Sequence, residues 1–180
     1  VTRDLVGLSP IPVLVVKNCP VVNFTGGSLI MATLRNLLVA YDGSACSKEA
    51  LKWAIEIARP VSAKINVVKV REPLHLTEAY TIAESGSYSR MKAKLEELEK
   101  MEEAILHSAK AYCEKQGVQI ETQSIDGMVA DALLRFSQEH GIDMIIIGAK
   151  GHGLLSLLPL GSVARSLVNL AEVPVLVAKA

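Results

Sequence analysis

The 180-residue sequence has no excess of charge of either sign: 19 basic and 19 acidic residues leave a formal net charge of zero. It therefore lacks the electrostatic footprint of a nucleic-acid binder or of a protein held on an anionic membrane. Cysteine is scarce and scattered. Cys19, Cys46 and Cys113 form no CxxC pair and share no metal-ligand spacing with His75, His107, His140 or His152, so no zinc site is encoded and a reducing cytoplasm is the expected compartment. The longest apolar runs, at 11–16, 144–147 and 173–178, fall far short of a bilayer span. No basic segment leading into an apolar one marks a signal peptide. A P-loop GxxxxGK[ST] and the protein-kinase signatures are absent too, and no Ser/His/Asp constellation can be inferred.

What the sequence does have is apolar material, half of its residues, enough for the core of one domain with an appendage. Short β-branched runs alternate with longer helical patterns. Strands are expected at 34–41, 64–70, 118–125, 143–148 and 174–178, and helices at 47–59, 90–116, 128–140 and 163–170. Such alternation predicts a three-layer α/β fold, a five-stranded parallel sheet with helices on both faces. The unbroken run Met144-Ile-Ile-Ile147 suits a central strand buried on both sides.

The first 17 residues stand outside that order and explain themselves by repetition. Residues 1–17 align without a gap on residues 163–179 and are identical at ten of the 17 positions, including the arginine, one proline and the lysine. They are expected to be the closing helix and strand of a preceding copy of the same domain, with 18–33 as linker and 34–180 as the complete domain.

Near the other end, Gly148-Ala-Lys-Gly151 and, nine residues on, Gly161-Ser162 bracket a loop between a strand and a helix. Glycines there let an anion approach backbone N–H groups, and a helix N-terminus adds partial positive charge, so the pattern points to a phosphate chain. A plain turn and an ordinary helix start would use the same residues. Between the glycines, 154–160 carries five leucines and a proline, and a loop that apolar is expected to be packed under a neighbouring element or covered by a partner.

Three motifs in order, Leu37-Leu-Val-Ala-Tyr-Asp-Gly-Ser44, the glycines at 148, 151 and 161 followed by Ser162, and Val173-Pro-Val-Leu-Val177, resemble those of the universal stress protein family, over residues 34–180 and the stub at 1–17. The resemblance implies a Rossmann-like fold of the adenine nucleotide α hydrolase-like group, and the complete glycine pattern is similar to that of the family's ATP-binding branch. By the same resemblance Gly148, Gly151, Gly161 and Val163 would wrap the triphosphate through backbone N–H groups. Ser162 would cap the next helix or donate to a phosphate, and Ala40, Tyr41, Ile65 and Ile147 would line the adenine pocket. Asp42 would accept from a ribose hydroxyl or hold a phosphate-bound divalent cation, magnesium or manganese; the sequence does not choose between these. His152 lies inside the same loop, and Lys150, beside it, could pair with phosphate or remain solvated.

The implied function is a nucleotide-dependent stress-response module in which ATP occupancy matters more than turnover. The alternative is a slow ATP-hydrolysing or adenylyl-transferring enzyme of the same fold group, although Tyr41-Asp-Gly-Ser-Ala45 lacks the paired glycines of an SGGxDS loop. In the family the last strand commonly pairs antiparallel with its counterpart in a second domain. Residues 11–16 are such a counterpart to 173–178, so the two are expected side by side, within one chain or between subunits of a homo-oligomer.

Overall fold

The computed structural model describes residues 9, 11–16, 34–72, 88–151 and 160–180. The expected helix within 1–8, the linker 18–33 and the apolar loop, apart from Leu160, lie outside the described residues, as does His152.

A six-stranded sheet forms the middle layer: β1 (Val13–Val15), β2 (Asn36–Ala40), β3 (Lys64–Arg71), β4 (Ile120–Asp126), β5 (Met144–Gly148) and β6 (Val175–Ala178). Its spatial order is β1-β6-β5-β2-β3-β4. The last five strands of the chain run parallel, as alternation with helices requires, and β1 adds a sixth that pairs antiparallel with β6. The expected five-strand sheet is thus extended by one. The extra strand is the stub, which can pair antiparallel because no crossover helix ties it to β6.

The helices are α1 (Ala45–Ala58), α2 (Tyr88–Lys115), α3 (Val129–Glu139) and α4 (Ser162–Leu170). α1 starts two residues earlier than apolar periodicity suggests because Ser44 caps it: the Ser44 hydroxyl accepts from the Ser47 N–H at 3.2 Å.

Strand alternation divides the core in two. Leu37, Val39, Ile65, Val67, Ile146 and Leu176 face α1 and α2, packing with Leu51, Ala54, Ile55 and Ala109. Leu38, Val68, Val70, Ile145, Val175 and Val177 face α3 and α4, packing with Leu133, Phe136, Ala164 and Leu167. The central strands β2 and β5 are buried from both sides, and each fully buried Leu or Ile contributes roughly 1.5–3 kcal/mol. At their amino ends the Asp143 carboxylate accepts from the N–H groups of Arg35 (2.7 Å) and Asn36 (2.8 Å), fixing β2 against β5.

The chain leaves β2 for β3 and β4 on one side, while β5 and β6 lie on the other. The carboxyl ends of β2 and β5 are therefore the point where strand order reverses, and open α/β sheets bind ligands in the crevice there.

Candidate functional site

Two segments meet at that crevice: 41–44, between β2 and α1, and the described ends of the connection from β5 to α4, residues 149–151 and 160–161. The Tyr41 N–H donates to the Val68 carbonyl at 2.9 Å, carrying the strand one residue beyond Ala40. The chain then turns through Gly43, whose φ of +83° a side chain would strain. In this turn the Ser44 N–H donates to Asp42 Oδ1 at 2.9 Å. That bond fixes the carboxylate close to the start of α1, where the helix dipole favours negative charge.

The other carboxylate oxygen faces the second segment. A β-carbon built on Gly151 would sit 2.7 Å from Asp42 Oδ2, so a side chain there would displace the carboxylate from its present position. The Ser44 hydroxyl donates to the Lys150 carbonyl at 3.4 Å, a second link between the segments. The loop closes on itself where the Gly161 N–H donates to the Ala149 carbonyl at 2.8 Å. Gly161 is also the N-cap of α4, with no side-chain cap bond, so the first N–H groups of that helix have no partner within it. Ser162 is the first helical residue, exposed, and its expected capping role passes to Gly161.

Gly148 has a different reason to be glycine. A β-carbon there would lie 2.7 Å from the carbonyl carbon of Cys46, 2.8 Å from its Cβ and 2.9 Å from the Ser47 nitrogen. The end of β5 thus packs directly on the first turn of α1, and this contact sets the separation of the two segments.

The structure brings together Ala40, Asp42, Ile147, Gly148, Gly151 and Gly161 at the crevice, with Ser162 and Val163 at the start of α4. It does not bring Tyr41 and Ile65 to the same side. The Tyr41 side chain is 4% exposed within the α1/α2 half of the core. Burial pushes its phenol pKa up, opposed by a hydrogen bond with Ser108, with smaller upward contributions from Cys113 and Asp42. Ile65 is fully buried in that same half and pairs with Leu37, near the amino ends of the strands, away from the crevice.

Val68, itself fully buried, lies in register with Ala40, which in turn pairs with Ile147, and Ala40, Val68 and Ile147 all belong to the α3/α4 half. Ser44, legible in the sequence only as the end of the first motif, is the cap of α1, and Val68 is the β3 residue level with Ala40. Period-two alternation along 64–71 would have shown that Val68 and Ile65 face opposite sides, and a serine just ahead of an apolar helical run is a capping signal.

Among the described residues no group of three or more His, Cys, Asp or Glu side chains could hold a metal ion, and no helix is long and apolar enough to cross a membrane.

Residues 33–179 match the model of the universal stress protein family. The chain is 31% identical over 145 residues to a universal stress protein of Methanocaldococcus jannaschii, covering 81% of this chain and 82% of that one. It is 31% identical over 144 residues to the universal stress protein YxiE of Bacillus subtilis, covering 79% of this chain and 97% of that one. Among solved structures, a universal stress protein from Archaeoglobus fulgidus superposes with a TM-score of 0.65 at 20% identity, covering 99% of this chain and 54% of its own. Another from Archaeoglobus fulgidus, solved in complex with dAMP, superposes with a TM-score of 0.55 at 22% identity, covering 82% of this chain and 99% of its own. By fold, by family model and by these relatives, the chain belongs to the universal stress protein family.

Proposed function

We propose that the crevice between β2 and β5 binds ATP and that occupancy, rather than turnover, is the regulated event in a stress response. The observation that carries this reading is the seating of the Asp42 carboxylate against Gly151 in a loop closed by Gly161. It joins a ribose or cation ligand to a phosphate cradle in the space of one nucleotide. The dAMP bound by a structural neighbour of the same family supports an adenine nucleotide as the ligand class.

In this reading Ala40, Val68 and Ile147 form the apolar floor under the base. Backbone N–H groups of Gly151, Gly161, Ser162 and Val163 would hold phosphates, as helix N-termini and glycine loops do elsewhere. Gly148 keeps the walls close. Magnesium, if it enters with the nucleotide, would be held by phosphate oxygens and at most one carboxylate, that of Asp42. One or two protein carboxylates plus substrate phosphates are the usual arrangement for this ion.

The test is titration calorimetry of the folded chain with ATP, AMP and GTP, beside Asp42→Ala. Binding of ATP with an affinity of roughly millimolar or tighter, lost by tenfold or more in the variant, is expected. A folded chain that binds no adenine nucleotide would sink the proposal. Sustained multiple turnover abolished by Asp42→Ala would instead establish the enzyme reading.

We further propose that β1 belongs to a preceding domain of the same kind, so that the chain is part of a tandem pair joined through 11–16 and 173–178. The sequence repeat supports this, as does the longer Archaeoglobus fulgidus protein, of which this chain spans about half.

A further inference from the structure

The turn that carries Asp42 is held from a third direction, by α2. Tyr41 sends its side chain away from the crevice into the α1/α2 half of the core, where it is buried in one cluster with Ala109 and Cys113 of that helix. Its hydroxyl shares a hydrogen bond with the Ser108 side chain, and the Ser108 hydroxyl donates to the Ile105 carbonyl at 2.6 Å. Gly43 meets the same part of the helix: a β-carbon built on it would lie 3.5 Å from Ile105 Cγ1 and Cγ2, ordinary contact distance. Ile105 and Ser108, one turn apart, share a face of α2. Asp42 thus sits between two residues that both rest on one turn of α2.

That helix is lightly held. Its inward stripe over the described residues is Ile105, Leu106, Ala109 and Cys113, and the two fully buried members, Ala109 and Cys113, are small. Stabilisation follows the apolar area removed from water, so such a stripe holds less firmly than the Leu51 and Ile55 of α1. Around the stripe Glu103, Lys110 and Glu114 are exposed. Elements with few buried apolar contacts open locally at a lower free energy than the whole fold.

We infer that Tyr41 is a positioning residue for Asp42, and that the Tyr41–Ser108 and Gly43–Ile105 contacts make α2 the element whose local opening is coupled to nucleotide occupancy. The inference rests on the binding proposed above and names where that occupancy is read out. Opening α2 withdraws Ser108 and Ile105 from the turn and frees Asp42 to leave its place against Gly151. A nucleotide that uses Asp42 binds the closed form, and so holds α2 closed. Such coupling is reciprocal: what α2 contributes to affinity, the nucleotide returns as protection of α2.

The experiment is hydrogen–deuterium exchange of the backbone amides of 101–115, with and without ATP, on the wild type, Ser108→Ala and Ser108→Thr, at equal occupancy set by calorimetry. At ATP about ten times its Kd, full coupling slows wild-type exchange in that stretch about tenfold. Ser108→Ala removes the partner of the Tyr41 hydroxyl without entering the crevice. It should weaken ATP binding about threefold to tenfold, the worth of one hydrogen bond, and cut the protection below about twofold. Ser108→Thr, which restores a hydroxyl, should recover both. A purely structural role for the bond would speed exchange equally with and without ATP and leave the ATP-dependent difference intact; that result overturns the inference. So does a wild type that binds ATP with no change in α2, which leaves the binding proposal standing. A folded wild type that binds no ATP overturns both.

Discussion

Gly151 and Asp42 approach closely: a β-carbon on Gly151 would lie 2.7 Å from Asp42 Oδ2, while Oδ1 of the same carboxylate is held at 2.9 Å by the Ser44 N–H. The carboxylate has little room to swing aside, since doing so breaks the bond that shapes the turn. Gly151→Ala is therefore expected to push Asp42 out of position and weaken adenine nucleotide binding about tenfold, or about 1.4 kcal/mol. Because the site lies at a loop, the thermal midpoint should move by only a few degrees. Calorimetry and a melting curve on the one variant check both halves.

Gly148 should behave in the opposite way. Its neighbours within 3 Å include the Cys46 carbonyl carbon and the Ser47 nitrogen, backbone atoms of a buried helix start that cannot rotate away. Overpacking of this kind costs typically 1–3 kcal/mol. Gly148→Ala should lower the unfolding free energy by about that amount, whereas Gly161→Ala, whose β-carbon meets the Ala149 carbonyl at 3.3 Å, should cost less. Urea denaturation of both variants gives the order, and equal costs would contradict the packing role assigned to Gly148.

These two glycines show how far the sequence could be read. Their spacing placed both on one loop between a strand and a helix, and the strands flanking it were legible because Leu37 to Ala40 and Met144 to Ile147 are short apolar runs between helical patterns. The reason for each glycine was not legible, since it depends on which backbone crosses near it in space. Ile65 failed for a related reason. An isoleucine at a strand start satisfies the composition of a pocket wall, but the side it faces is set by register, and the Leu37 pairing puts it at the far end of the sheet from the crevice. The antiparallel pairing of 11–16 with the last strand could be anticipated because the repeat names both partners; the register, Leu14 opposite Leu176, is set by the packing of the two strands in the fold.

Cys113 is fully buried in the α1/α2 half of the core, and burial pushes its thiol pKa from 9.0 up to about 11, whereas Cys46 in the first turn of α1 is partly exposed. The thiolate is the nucleophile, so Cys113 should resist iodoacetamide in the folded protein at pH 8 while Cys46 is modified. The same shift sets a pH dependence. The folded state binds the thiol proton more tightly than the unfolded chain, so its contribution is complete below about pH 9 and is lost as pH rises toward about 11. Tyr41, whose pKa is also raised, acts in the same direction. Urea midpoints should fall across that interval, and less so in Cys113→Ala.

The proposal that the base lies over Val68 rather than Ile65 makes opposite demands on two neighbouring substitutions. Ile65 is fully buried beside Leu37 and Val67 under α1 and α2, so Ile65→Val removes one methylene from a packed core and should cost about 1 kcal/mol of stability. Nothing links it to the crevice, so nucleotide affinity should be unchanged. Val68 lies beside Ala40 on the other face, in register with the last residue of β2. Val68→Met adds length toward the space above Ala40 and Ile147 and should weaken adenine nucleotide binding by roughly tenfold. Inorganic triphosphate, which has no base, should bind the variant as it binds the wild type. Loss of affinity in Ile65→Val with Val68→Met unaffected would return the pocket to the α1/α2 side of the sheet and detach it from the Asp42 loop.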